Sequence, residues 1–128
     1  MVLARRCPIE DVAHAVVRSL DRLAAAAEVP PVALVVDGAY EYTAADLAAW
    51  DAEGPGSTFK RYYAPYEALA RRYGLPREAK PWCYDTAETQ QWLGYVPRYG
   101  LRQALEELVR YGPDGPPGPS GHRAPYGT

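Results

Sequence analysis

Cations and aromatic rings alternate through the middle of the chain, from Arg61-Tyr62-Tyr63 to Arg71-Arg72-Tyr73. That mixture suits a nucleotide, because a ring stacks on a flat base while a guanidinium beside it clamps a phosphate through paired N–H donors. The same residues have a plainer use. Tyr66, Leu69, Ala70 and Tyr73 recur at three- and four-residue steps and would form the packed face of a helix whose arginines are solvated. Both uses are open at the level of sequence. The remaining reactive side chains are scattered: His14 stands seven residues after Cys7, and His122 is near the C-terminus. A zinc site takes its donors in close pairs, and a catalytic histidine needs a nucleophile and an orienting acid that no spacing here supplies. His14 is therefore expected on the surface or in packing. Asp11, Asp85 and Glu88 stand where carboxylates cap helices, and Trp50, Trp82 and Trp92 are expected in a core or interface. No catalytic residue and no metal ligand is expected.

The elements that must position these groups are written in local signals. Asp11 opens a helix in which Val12, Val16, Leu20, Leu23 and Ala27 share a face while Arg18, Asp21 and Arg22 lie away from it, and Pro30-Pro31 ends it. Val32 to Val36 is an unalternating, β-branched-rich run stopped by Asp37-Gly38, the pattern of a strand covered on both faces. Thr43 with Asp46 caps a short helix through Trp50; Gly54-Pro55-Gly56 makes a loop; Pro65 to Tyr73 reads as a helix closed by Gly74. Asp85 and Glu88 form a capping-box pair, Gly94 stands at a left-handed C-cap, and Pro97 forbids continuation, so that helix ends at Leu93. Leu101, Ala104, Leu105, Leu108 and Val109 then mark an amphipathic helix with Arg102, Gln103, Glu106 and Glu107 turned to water, closed by Gly112-Pro113.

The 128 residues allow one domain, expected over residues 6–111. Residues 112–128 are dominated by Gly and Pro without apolar periodicity and are expected to form a disordered tail. A net charge of −2 offers no basic field to a polyanion, so no nucleic-acid partner is expected. No apolar run approaches the roughly 18 residues of a membrane helix, no signal peptide is visible in the first residues, and Cys7 and Cys83 lie far apart with no C-x-x-C spacing. The expectation is a cytoplasmic protein with reduced thiols and no membrane partner.

The order Asp85, short helix, Leu93-Gly94-Tyr95-x-Pro97 and a second helix from Leu101 resembles the C-terminal end of the NAD-dependent epimerase/dehydratase family, the extended short-chain dehydrogenases that modify nucleotide sugars. Pro8 to Val17 looks like the family's Asp-Val-Ala helix start, and Val32 to Val36 followed by Tyr42, Thr43 and Asp46 looks like its strand, loop and Thr-capped helix. The three matches occur in the family's order and cover about residues 8–111. The resemblance implies an α/β fold, mostly helical, forming the substrate-side fragment of an extended short-chain dehydrogenase without its N-terminal dinucleotide-binding half. Arg77 and Lys80 stand near where the family often has a basic residue upstream of the Asp. With Arg61 and Tyr63 they are the substrate-binding candidates.

The glycines form no G-x-x-G-x-x-G or G-x-G-x-x-G, and neither Lys60 nor Lys80 has a Tyr four positions before it. Those two features bind the dinucleotide and move the proton in the family. The chain alone is therefore expected to bind no cofactor and to be inactive, with NAD(P) entering only if a partner chain brings the Rossmann half. It would then be a truncated product, one half of a split nucleotide-sugar-modifying enzyme, or a remnant reused for binding. The alternative is a small protein–protein interaction module with no nucleotide ligand. Either way, an unpaired apolar strand at Val32 to Val36 would invite a Rossmann-domain partner or a second copy of the chain.

Overall fold

Six α-helices and a single 3-10 turn follow one another in the computed structural model, which describes residues 9–117. They are α1 (Ile9–Ala25), α2 (Ala44–Glu53), α3 (Ser57–Tyr63), the 3-10 turn (Ala64–Tyr66), α4 (Glu67–Arg72), α5 (Ala87–Leu93) and α6 (Leu101–Tyr111). The fold is mostly helical, and no strand is formed among the described residues.

The local signals act where they stand. Asp85 Oδ1 accepts the Ala87 amide at 2.9 Å, and Gln90 Nε2 rather than Glu88 reaches back, donating to Thr86 Oγ1 at 3.0 Å. Gly94 ends α5 in the left-handed region at φ 59°, where a Cβ would be strained. Ser57 opens α3 by donating its hydroxyl to Gly54 O at 2.8 Å, a helix that the expected loop and its flanks did not announce. Pro65 has no N–H to continue the ladder, so the chain tightens into the 3-10 turn before α4 begins.

Two cores result. The larger gathers Phe59, Tyr63, Ala70, Leu75, Leu101 and Leu105, with Tyr40, Tyr42, Tyr62, Tyr66 and Tyr73 around it. The smaller contains Ala15, Leu93 and Tyr95, lined by Leu34 and Val36. Val109, expected on the packed stripe of α6, is 63% exposed, because the larger core reaches only as far as the Leu101–Leu105–Leu108 edge of that helix.

The expected strand at Val32 to Val36 is not formed, and the sheet part of the α/β expectation falls with it. No neighbouring strand exists among the described residues to complete a ladder, and side chains take over the backbone groups: Thr89 Oγ1 donates to Val35 O at 2.6 Å and the Tyr95 hydroxyl to Asp37 O at 2.8 Å. The segment is an extended strap across α5. Its end crosses the approach to α6 so closely that a Cβ on Gly100 would lie 1.8 Å from Ala39 O, while the Ala39 amide donates to Tyr99 O at 2.7 Å. Of the expected tail, residues 112–117 are described and turn at 113–114, where the Gly115 amide donates to Gly112 O at 3.2 Å; the rest, with His122, and likewise Cys7, lies outside the described residues.

Candidate functional site

Asp11 was expected to cap its own helix, but α1 begins at Ile9 and the Asp11 carboxylate turns inward. It is 1% exposed and accepts the amides of Arg98, at 3.0 Å, and Tyr99, at 3.0 Å. Those two amides precede α6 and have no intrahelical partner, so a buried carboxylate satisfies them as a backbone acceptor would. Arg18 Nε donates to Leu93 O at 3.0 Å, meeting an orphan carbonyl at the C-terminus of α5 where a cation also complements the helix dipole. Arg22 stacks over Trp92 at 4.4 Å, and His14 lies against the Tyr95 ring, 5.7 Å between centroids. The polar side of α1 therefore holds it to the protein. Its apolar side faces out, with Val12, Val16, Val17, Leu20 and Leu23 between 41 and 60% exposed and Ile9 78%.

The second polar centre is Asp46, 3% exposed at the start of α2. Its carboxylate accepts four hydrogen bonds: from the Thr43 amide and hydroxyl, both 2.8 Å, from Arg61 Nη1 at 2.7 Å and from the Tyr62 hydroxyl at 2.7 Å. Burial alone would raise its pKa, but the bonds from Tyr62, Thr43 and Arg61 outweigh it and hold the carboxyl well below the usual carboxylate range. The Thr43–Asp46 cap foreseen from spacing is thus also the anchor of α3. Above it the tyrosines interlock: Tyr42 meets Tyr62 and Tyr63 edge-on, and burial pushes the Tyr42 phenol up to about 12. None of these phenols is poised to give up a proton near neutrality.

The four substrate-binding candidates are placed unequally. Tyr63 is fully buried in the larger core, with Arg102 over its ring at 5.4 Å. Arg61 is paired with Asp46 and, at 2.9 Å, with Glu53. Arg77 is paired with Glu67 at 3.2 Å, and Lys80 with Asp51. Arg61 and Arg77 border one open groove of about 620 Å³, together with Lys60, Glu53, Glu67 and Glu78. Arg77 and Lys80 also line a cleft of about 30 Å³ beside Tyr40, Tyr42 and Trp82, a space of one or two waters. A phosphate entering the groove would compete with a carboxylate at each guanidinium.

No protein-family model matches the chain, and no curated protein and no solved structure is significantly similar to it. Its chemistry is therefore read from its own side chains. Among the described residues no group of His, Cys, Asp and Glu could hold a metal ion, no helix is long and apolar enough to cross a membrane, and Cys83 is a free, exposed thiol. Sequence reasoning missed the inward role of Asp11, the hub role of Asp46 and the pairing of Arg102 with Glu41 at 2.7 Å, where exposure to water was expected. The short helix signals around Asp11 and Asp46 are visible in the sequence. Their distant partners are not.

Proposed function

We propose that this chain is the substrate-side portion of an NAD-dependent epimerase/dehydratase-like enzyme, inactive alone, which handles a nucleotide sugar only beside a chain that supplies the dinucleotide-binding half. One observation carries it. The three segments that separately resemble the family converge on one buried knot: Asp11 holds the amides of Arg98 and Tyr99, Tyr95 donates to Asp37 O, and Ala39 donates to Tyr99 O. The three segments are thereby neighbours in one unit, as a substrate-side portion requires. The open groove of Arg61, Lys60 and Arg77, lined by residues of α2, α3 and α4 and the segment after α4, is the polar concavity of this half. A diphosphate would enter there by taking the place of Glu53 or Glu67 on the guanidiniums, an exchange that preserves charge-assisted pairing.

The test combines the chain with an isolated dinucleotide half of an extended short-chain dehydrogenase that carries the Gly-rich turn and Tyr-x-x-x-Lys. Nicotinamide absorbance is followed with a panel of nucleoside diphosphate sugars. The expected result is no nicotinamide binding by the chain alone and turnover only in the mixture. A mixture that forms no complex and binds no nucleotide sugar more tightly than either half would overturn the proposal. The alternative, a small interaction module without a nucleotide ligand, is favoured by the outward apolar side of α1; saturable nucleotide-sugar binding in the mixture would eliminate it.

A further inference from the structure

We infer that the outward side of α1 is the seam of an antiparallel homodimer. Ile9, Ala13, Val16, Leu20 and Leu23 repeat at steps of four and three, the register of a two-helix seam. The large side chains of this face leave on the order of 500 Å² uncovered, as much as the largest patch of a typical monomer. Doubled across a two-fold axis, that is about 1,000 Å², the threshold of a specific interface. A second copy that buries the whole face reaches that threshold.

The chemistry of the edges selects this occupant. Val12, Val17, Ser19 and Ala24 flank the seam without a charge, and Glu10 stands beside its N-terminal end; in the antiparallel register the two copies' Glu10 carboxylates lie at opposite ends of the seam and do not repel. The cations Arg18 and Arg22 are committed to Leu93 O and Trp92 on the opposite side. A helix lying on a lipid surface has Lys and Arg on its polar face for the headgroups; here that face is occupied by the protein itself. Orientation follows from residue size. Side by side in parallel, Ala13 would meet Ala13 of the other copy and leave a gap. In the antiparallel register Ala13 meets Leu23 and Val16 meets Leu20 of the other copy, small against large, and the helix dipoles oppose. The inference stands whether or not another chain brings a dinucleotide.

Sedimentation equilibrium of the full chain from low to high micromolar concentration tests it, with Leu20→Glu and, as a control on another exposed apolar residue, Val109→Glu. The expected result is a concentration-dependent dimer for wild type and Val109→Glu, and a monomer of unchanged helical circular dichroism for Leu20→Glu. A wild type that remains monomeric, a Leu20→Glu protein that still dimerises, or a wild type that floats with anionic vesicles through this face while staying monomeric would overturn it. Turnover in the two-chain mixture by a monomeric wild type would reject the dimer and leave the proposed function standing.

Discussion

The body built from α2, α3, α4 and α6 and the layer built from α1 and α5 solve the same problem in opposite ways. In the body, apolar and aromatic side chains point inward, and Asp46–Arg61, Glu67–Arg77 and Glu41–Arg102 ring the core. In the layer, α1 is held by Asp11, Arg18 and Arg22, and its apolar stripe faces outward. Periodicity identifies two faces of a helix; it does not say which one the fold keeps. A carboxylate that satisfies two orphan amides, and a guanidinium that meets a helix-end carbonyl, can decide the orientation against the apolar stripe when the chain offers too little core to bury that stripe.

The largest expected effect is at the crossing that joins the two regions. A Cβ at Gly100 would meet backbone, not a side chain that can swing away, so Gly100→Ala is expected to cost about 3 kcal/mol or more, as overpacking against a fixed neighbour does. Urea denaturation measures it. A loss below about 1 kcal/mol would separate the strap from α6 and weaken the link between body and layer.

Next comes the hub of the body. Asp46→Ala removes the acceptor of four hydrogen bonds and is expected to cost about 2 kcal/mol, since the half-buried Tyr62 hydroxyl and the Thr43 cap donors lose their partner while the half-exposed Arg61 is rescued by water. The same carboxylate sets an acid limit. Its folded pKa lies below the unfolded value of about 3.9, so its contribution is complete above that value and is lost as pH falls from there toward the folded pKa. Asp46→Asn should flatten the stability profile in that window. An unchanged profile would remove Asp46 from the centre of the account.

Smaller effects refine the boundary. Gly94→Ala forces a Cβ into the left-handed region and to within 2.9 Å of Arg18 Nη2; because the guanidinium end can yield, about 1–2 kcal/mol is expected, read as a shift in melting temperature. Tyr63→Phe should be nearly neutral, within about 0.5 kcal/mol, because the buried hydroxyl makes no well-aligned hydrogen bond. A large loss there would show that the hydroxyl organises the tyrosine cluster.

What was legible in the sequence is what neighbours encode. The end of α5 at Leu93, the left-handed Gly94, the start of α6 at Leu101 and the Thr43–Asp46 cap depend on residues within one or two turns. The run Val32 to Val36 has the composition of a strand, but a strand is a property of a pair, and the pairing partner is not written in the run itself. The site candidates show the same limit. Arg61 and Lys80 were recognisable as cations, whereas Asp46, 15 residues from Arg61, and Asp51, 29 residues from Lys80, neutralise them through the fold. Asp11 reads as a helix cap because such carboxylates usually serve their own helix; its partners stand 87 and 88 residues away.

The inverted seating of α1 is tested most directly by comparing Asp11→Ala with Leu20→Glu in chemical denaturation at concentrations low enough to keep the chain monomeric. An exposed apolar residue replaced by a charge should leave stability within about 0.5 kcal/mol, while loss of the buried carboxylate should cost about 2 kcal/mol by orphaning the Arg98 and Tyr99 amides. A Leu20→Glu protein that unfolds while Asp11→Ala melts like wild type would mean that α1 buries its apolar stripe and presents its charges to water, the opposite of the arrangement described.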